Sequence, residues 1–411
     1  SVCRPFRLSE CLRPTRGGVK HSVRAMTSLR HRFPGIGPEW ARFDGPAGTQ
    51  MVDSAITAMS DWMASGNTAA NGGPFAAAEE CQRLMDRTRA AVGQFLGADP
   101  NGVSFGPNMT SLTFAVSRAV GATLQPGDRI VGTRLDHDAN ITPWRRAADG
   151  AGAEHVLAPF DPATGQLPPA NVIELIDERT KWVTLPGASN LLGSTPDLAP
   201  IVEAAHAVGA NVYVDAVHLA PHRRIDIAAL GCDALVTSPY KWYGPHSGVL
   251  WMRPELLESL PVFKVRPAAD HGPSRIETGM PNFEGIAGIE AAARFLIEEG
   301  MDRVAATESE VFAHLLEGLL SINGVRVWGS PTLDGRVPTA AFTIDGVHPA
   351  EASKALAAKG IAVWDGHNYA VEVVDQLGLA DRGGVIRAGV SRYVEQPDVE
   401  RLLGAVRDLA R

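Results

Sequence analysis

The chain has 411 residues, 45% of them apolar and 20% charged, close to the globular average. That composition excludes a disordered or collagen-like chain and supports a large buried core. The net charge of -8 argues against a polyanion-binding surface, and no apolar run reaches the roughly 18 residues of a membrane span. Neither nucleic acid nor a membrane is an expected partner.

Residues 1–35 differ from the rest, with eight Lys or Arg and a single acidic residue, Glu10. They contain no apolar core of a secretory signal. Arg4, Pro5, Arg13, Pro14 and Gly17-Gly18 show no helical amphipathicity. The stretch reads as a disordered basic tail or an over-extended start, with translation beginning at Met26. Cys3, Cys11, Cys81 and Cys232 form no CxxC pair, so a disulfide framework, a zinc site and dithiol redox chemistry lack support. A reducing, cytoplasmic setting and no metal are expected.

Beyond the tail, residues 78–97 and 109–121 carry helical spacing of apolar side chains. A short strand, Gly102–Phe105, lies between them. Strand-like runs follow at Arg129–Thr133, His155–Ala158, Lys181–Leu185, Asn211–Val214, Ala234–Thr237 and Gly248–Met252. Helical stretches such as Leu198–Val208 separate them, which predicts an α/β fold with a mostly parallel sheet covered on both faces. Near residue 290 the pattern changes. A long helical stretch (Ile289–Ile322) leads to strands Val325–Trp328 and Thr339–Ile344. A helix (Pro349–Lys359), strands Ile361–Trp364 and Val385–Ser391, and a final helix (Pro397–Leu409) complete the chain. The expected organisation is a large domain over residues 36–290 and a smaller α+β domain over residues 291–411.

Ligands of open α/β sheets sit beyond the C-terminal strand ends. Four such ends here are polar: Asp136-His137-Asp138-Ala139-Asn140, Gly187-Ala188-Ser189-Asn190, Asp215-Ala216-Val217-His218 and Ser238-Pro239-Tyr240-Lys241. Lys241 is one of only six lysines and sits among Tyr240, Trp242 and Tyr243. Desolvation there lowers an amine's pKa and makes it nucleophilic toward an aldehyde. Asp215 follows a nearly all-apolar strand and needs a cationic partner; a protonated pyridine nitrogen is one. Singly, such an Asp is usually a helix cap and such a Lys reaches solvent. Together, in this order, they point to pyridoxal phosphate. Asn108, Met109 and Thr110 open the helix 109–121, whose N–H groups with the Thr110 hydroxyl suit a phosphate. No GxGxxG or GxxxxGK[ST] motif competes.

These segments resemble the aminotransferase class V family of fold-type I pyridoxal-phosphate enzymes, in its cysteine desulfurase-like branch. The likeness runs from about Phe43 to the C-terminus. It is carried by residues 135–140, Ser189-Asn190-Leu191-Leu192-Gly193, Val212-Tyr213-Val214-Asp215-Ala216, residues 238–245, Arg275-Ile276-Glu277-Thr278-Gly279-Met280-Pro281 and Val385-Ile386-Arg387-Ala388-Gly389. The resemblance implies that Lys241 carries the cofactor, Asp215 pairs with its pyridine nitrogen and His137 stacks on its ring. It places Asn190 and His218 near the ring hydroxyl, Thr110, Ser238 and Tyr240 at the phosphate, and Arg387 on the carboxylate of a small amino-acid substrate. A homodimer is implied as well. The family's nucleophilic Cys falls in Gly366-His367-Asn368-Tyr369-Ala370, where Tyr369 takes its place as a substrate-side residue. The expectation is therefore C–S or C–Se lyase-type chemistry without that Cys. Class V transamination, epimerisation and a non-catalytic partner protein are the alternatives.

Overall fold

The structure is a computed structural model that describes residues 28–67 and 69–411. The expected tail falls outside the described residues through residue 27. Residues 28–35 are packed on the folded body. Phe33 is buried, its ring edge-on to Tyr243 and Tyr393 at 5.1 Å, and Arg30 pairs with Asp398 at 2.7 Å. The tail expected over 1–35 thus meets the body by residue 28, because an aromatic anchor and an ion pair lie inside it.

A two-residue strand, β1 (Ala41–Arg42), precedes the main sheet. That sheet has seven strands: β2 (Val103–Gly106), β3 (Arg129–Thr133), β4 (Glu154–Ala158), β5 (Thr180–Pro186), β6 (Asn211–Asp215), β7 (Ala234–Thr237) and β8 (Gly248–Met252). Their order is β2-β8-β7-β6-β5-β3-β4, parallel throughout except for β8. Both faces are buried, as a parallel sheet under helices requires. Side chains alternate between the faces along each strand. Tyr213 and Trp182 join Trp144 and Val116 on one side, while Val212, Val214 and Val183 join Leu185 and Leu96 on the other. The parallel strands end along one edge, and that edge carries the site.

The C-terminal sheet is antiparallel, with β9 (Val325–Trp328), β10 (Thr339–Ile344), β12 (Trp364–Gly366) and β13 (Val385–Gly389) in the order β12-β13-β10-β9. The remaining strand, β11 (Ile361–Ala362), pairs in parallel with β1, so the N-terminal segment is tied to the C-terminal part of the chain. Two expectations are corrected here. The helix expected over Ile289–Ile322 is two helices, Phe283–Glu299 and Met301–Leu320, broken at Gly300, whose φ of 76° no continuous helix adopts. The strand expected over Ile361–Trp364 splits, with β11 and β12 serving different sheets.

Candidate active site

Lys241 ends a 3-10 turn, Pro239–Lys241, directly after β7. Its side chain is buried, and Nζ donates to the Pro46 carbonyl at 2.6 Å. Burial and the nearby Arg387 guanidinium push the amine down to about 7, against an opposing pull from Asp215. A large fraction is therefore unprotonated near neutral pH. Pro46 also packs on Gly389, where a Cβ would lie 2.2 Å from the proline Cγ. Only glycine permits that approach.

Asp215 is the last residue of β6, buried at 6% exposure. Burial raises its carboxyl to about 6, partly offset by the Val217 N–H, which donates to Oδ1 at 2.9 Å, and by Lys241. His137 heads the 3-10 turn Asp138–Asn140 after β3. Its Nδ1 accepts the Ala139 N–H at 3.0 Å, which assigns the ring proton to Nε2. Burial, then Lys241 and Arg387, push the imidazole down to about 3, so it is neutral.

A latch that sequence reasoning did not resolve fixes this turn. The Asp136 carboxyl bonds the Thr133 hydroxyl and accepts from Asn140 Nδ2 at 2.7 Å. Asn140 Oδ1 in turn accepts from Trp144 Nε1 at 3.1 Å. Burial holds Asp136 well above the usual carboxylate range. The only available signal was four-residue spacing in a motif whose acidic residues all look alike.

Arg387 lies in β13 at 4% exposure with no carboxylate partner among the described residues. Its Nη1 donates to the Asn190 carbonyl at 2.9 Å, while Nε has no partner. Burial pushes the guanidinium down to about 9. Asn190 Nδ2 donates to the Asn368 carbonyl at 2.8 Å, and its Oδ1 is unpartnered. His218 Nε2 is 2.9 Å from the Thr339 hydroxyl, and its Nδ1 is unpartnered. Burial drives this imidazole well below its ordinary value, with His222, Lys241, Arg387 and His137 adding to the shift. Buried polar atoms are normally satisfied. Two orphaned atoms, Asn190 Oδ1 and His218 Nδ1, and a guanidinium without a carboxylate near the Lys241 amine make a site suited to a polar, anionic occupant.

Beside them opens the helix Met109–Gly121. Asn108 caps it, its side chain accepting the Ser111 N–H at 2.8 Å. The Met109 N–H donates to the Ser238 hydroxyl at 3.3 Å, and the Thr110 hydroxyl reaches Met109 Sδ at 3.4 Å. Tyr240 stacks on His246 with centroids 5.2 Å apart. Ser238 is thus brought to the N-terminus of the helix opened by Asn108, Met109 and Thr110, where an anion is favoured.

Tyr369 is 66% exposed and its ring stacks on His137, centroids 5.3 Å apart at 14°. Asn368 and Tyr369 both hold left-handed backbone conformations, with φ of 50° and 60°. The loop is pinned by the Asp138 N–H donating to the Tyr369 carbonyl at 2.8 Å. The thiols within the described residues lie elsewhere. Cys81 donates to the Asn67 and Ala69 carbonyls. Cys232 precedes β7, at the opposite end of the strand from Lys241, and burial pushes its thiol up to about 12.

The fold and this crevice define a pyridoxal-phosphate-dependent enzyme of fold-type I. The chain belongs to the aminotransferase class-V family, whose model matches residues 42–402. It is 31% identical to a probable cysteine desulfurase 2 of Mycobacterium leprae, over 94% of this chain and 95% of that one. It is 30% identical to a cysteine desulfurase of Dickeya dadantii, over 91% and 93%. Among solved structures, a cysteine desulfurase of Escherichia coli superposes with a TM-score of 0.84 at 27% identity, over 93% of this chain and 97% of that one. The chain is a cysteine desulfurase-like class V enzyme and its cofactor is pyridoxal 5'-phosphate. The orphaned Asn190 and His218 atoms and the helix N-terminus fit that group. Among the described residues, no helix is long and apolar enough to cross a membrane.

Proposed function

We propose that the enzyme acts on a small α-amino acid and cleaves its Cβ–S or Cβ–Se bond without a thiol of its own. The observation that carries this reading is Arg387. It is a buried guanidinium without a carboxylate, within electrostatic range of a lysine whose amine titrates near 7. Such a fork suits an α-carboxylate bidentately. When bound, pyridoxal phosphate supplies an electron sink for bonds breaking at Cα and Cβ. Lys241 would hold the group, and its amine would take or return a proton at Cα. Asp215 would pair with the pyridine nitrogen. Neutral His137 would lie against the ring, with its Nε2–H as a hydrogen-bond donor toward a leaving sulfur. Asn190 and His218 would offer their open atoms to the ring hydroxyl. Thr110, Ser238, Asn108, Met109 and Tyr240 would hold the phosphate, and Tyr369 would close the substrate side.

Placement of Cys81 and Cys232 away from the crevice supports a thiol-free route. Elimination meets that requirement: cysteine and water give pyruvate, ammonia and hydrogen sulfide, with no redox partner. The reading includes a homodimer in a cytoplasmic setting. Exposed Phe263, Val265 and Met280 near the phosphate end support the dimer, and the free buried thiols support a reducing compartment. Light scattering on the eluting protein checks the dimer.

The test is L-cysteine turnover by the cofactor-loaded protein, with Lys241→Ala as control and alanine, pyruvate and sulfide quantified. Pyruvate with sulfide, lost in Lys241→Ala, is the expected result. Alanine with sulfur carried by an added thiol replaces elimination by desulfuration. Absence of any product overturns C–S cleavage and turns the assay to transamination and epimerisation.

A further inference from the structure

Behind His218 runs a buried polar line that the reading above leaves unused. His218 and His222 lie four residues apart on the turn after β6. Bonds from the Ala220 N–H to the Ala216 carbonyl and from the His222 N–H to the Leu219 carbonyl coil that turn. The two imidazoles consequently meet edge to face, centroids 5.5 Å apart. His222 Nδ1 bonds Glu308 Oε2 at 2.7 Å, and Glu308 Oε1 accepts from the Tyr243 hydroxyl at 3.2 Å. The Tyr243 oxygen in turn accepts the Arg392 N–H at 3.1 Å.

Glu308 is 1% exposed and comes from the helix Met301–Leu320. A buried carboxylate is costly, and packing alone is served as well by an apolar side chain of its volume. On the other side of His218, Nε2 is held by Thr339 of β10. Two elements from the C-terminal part of the chain therefore restrain one histidine of the main sheet. The restraint leaves only Nδ1 without a partner, on a ring that meets His222 and lies within electrostatic range of Lys241, Arg387 and His137.

We propose that Glu308, acting through His222, and Thr339 are positioning residues that fix the His218 ring so that its open Nδ1 meets the bound cofactor. The inference rests on the crevice being the cofactor site. Hydrogen-bonded residues behind a functional group set its tautomer and orientation, and their loss is felt at the group itself.

Two variants keep the side-chain volume, Glu308→Gln and Thr339→Val. The first readout is the ring ¹⁵N shifts of His218 in histidine-labelled apoprotein. The second is the pH midpoint of the visible band of lysine-bound pyridoxal phosphate in the reconstituted protein. Both variants are expected to change the His218 shifts and to move the midpoint by on the order of half a pH unit. Glu310→Gln, exposed on the same helix, changes neither. Unchanged His218 shifts in both variants overturn the positioning. Changed shifts with an unmoved band overturn the link to the cofactor. A wild-type protein that develops no band fails the cofactor-site reading instead, and the apoprotein shifts then decide the positioning alone.

Discussion

Arg387→Met separates a functional guanidinium from a structural one, because the two roles predict opposite signs. In the free protein Arg387 is a buried cation whose only bonded acceptor is a backbone carbonyl. Replacing a buried ionic group by an apolar one of similar volume is neutral to stabilising by about 1–4 kcal/mol. Loss of the bond to the Asn190 carbonyl returns about 1–2 kcal/mol of that. The apoprotein should therefore gain up to about 3 kcal/mol, read as a raised urea midpoint at unchanged slope. Binding should move the other way. A substrate carboxylate entering the crevice without its cation loses about 3–5 kcal/mol. At about 1.4 kcal/mol per factor of ten, affinity falls by roughly 10² to 4 × 10³. The assay pairs denaturant unfolding of the apoprotein with the KM for L-cysteine of the loaded enzyme. A destabilised variant with an unchanged KM would refute the assignment and make Arg387 a structural clamp on the Asn190 turn.

Other outcomes follow from the same geometry. The amine of Lys241 sits near 7, and an amine attacks only when unprotonated, so the rate of cofactor uptake by apoprotein should climb to about pH 8 and then level off. A rate still rising tenfold per pH unit at pH 9 would place the amine near an ordinary lysine. Asp215→Asn keeps volume and the contact with the Val217 N–H but removes the charge. The cofactor should still bind while turnover drops roughly a hundredfold or more, and wild-type rates would dismiss the pyridine assignment. The double variant Cys81→Ser/Cys232→Ala should keep its turnover, since neither thiol faces the crevice; a collapse in rate with intact folding would make one of them the sulfur carrier. Tyr369→Gly relieves a left-handed backbone worth about 1–2 kcal/mol and gives up a ring stack of about 0.5–1.5 kcal/mol. Stability should stay nearly level while the KM changes, and an unchanged KM would remove Tyr369 from the substrate side.

The strands of the main sheet were legible because burial on both faces writes near-continuous apolar runs; Arg129–Thr133, Ala234–Thr237 and Gly248–Met252 agree residue for residue. Lys241 stood out through the scarcity of lysine, and Asp215 and His137 through their places at strand ends. The remainder had no comparable signal. The Pro46 acceptor is a backbone carbonyl, which any residue supplies. Glu308 reads as an ordinary helix-surface charge, since periodicity does not tell a buried carboxylate from a solvated one. The break at Gly300 was hidden because apolar spacing continues on both sides of it. Val363 bridges β11 and β12 in sequence without marking their separate partners.

The contact between Pro46 and Gly389 gives one proline two masters. Its ring is wedged against the strand that carries Arg387 two residues earlier, and its carbonyl holds the Lys241 amine. A Cβ at residue 389 would run into that ring, so Gly389→Ala presses on the segment whose carbonyl holds the lysine without altering either charged side chain.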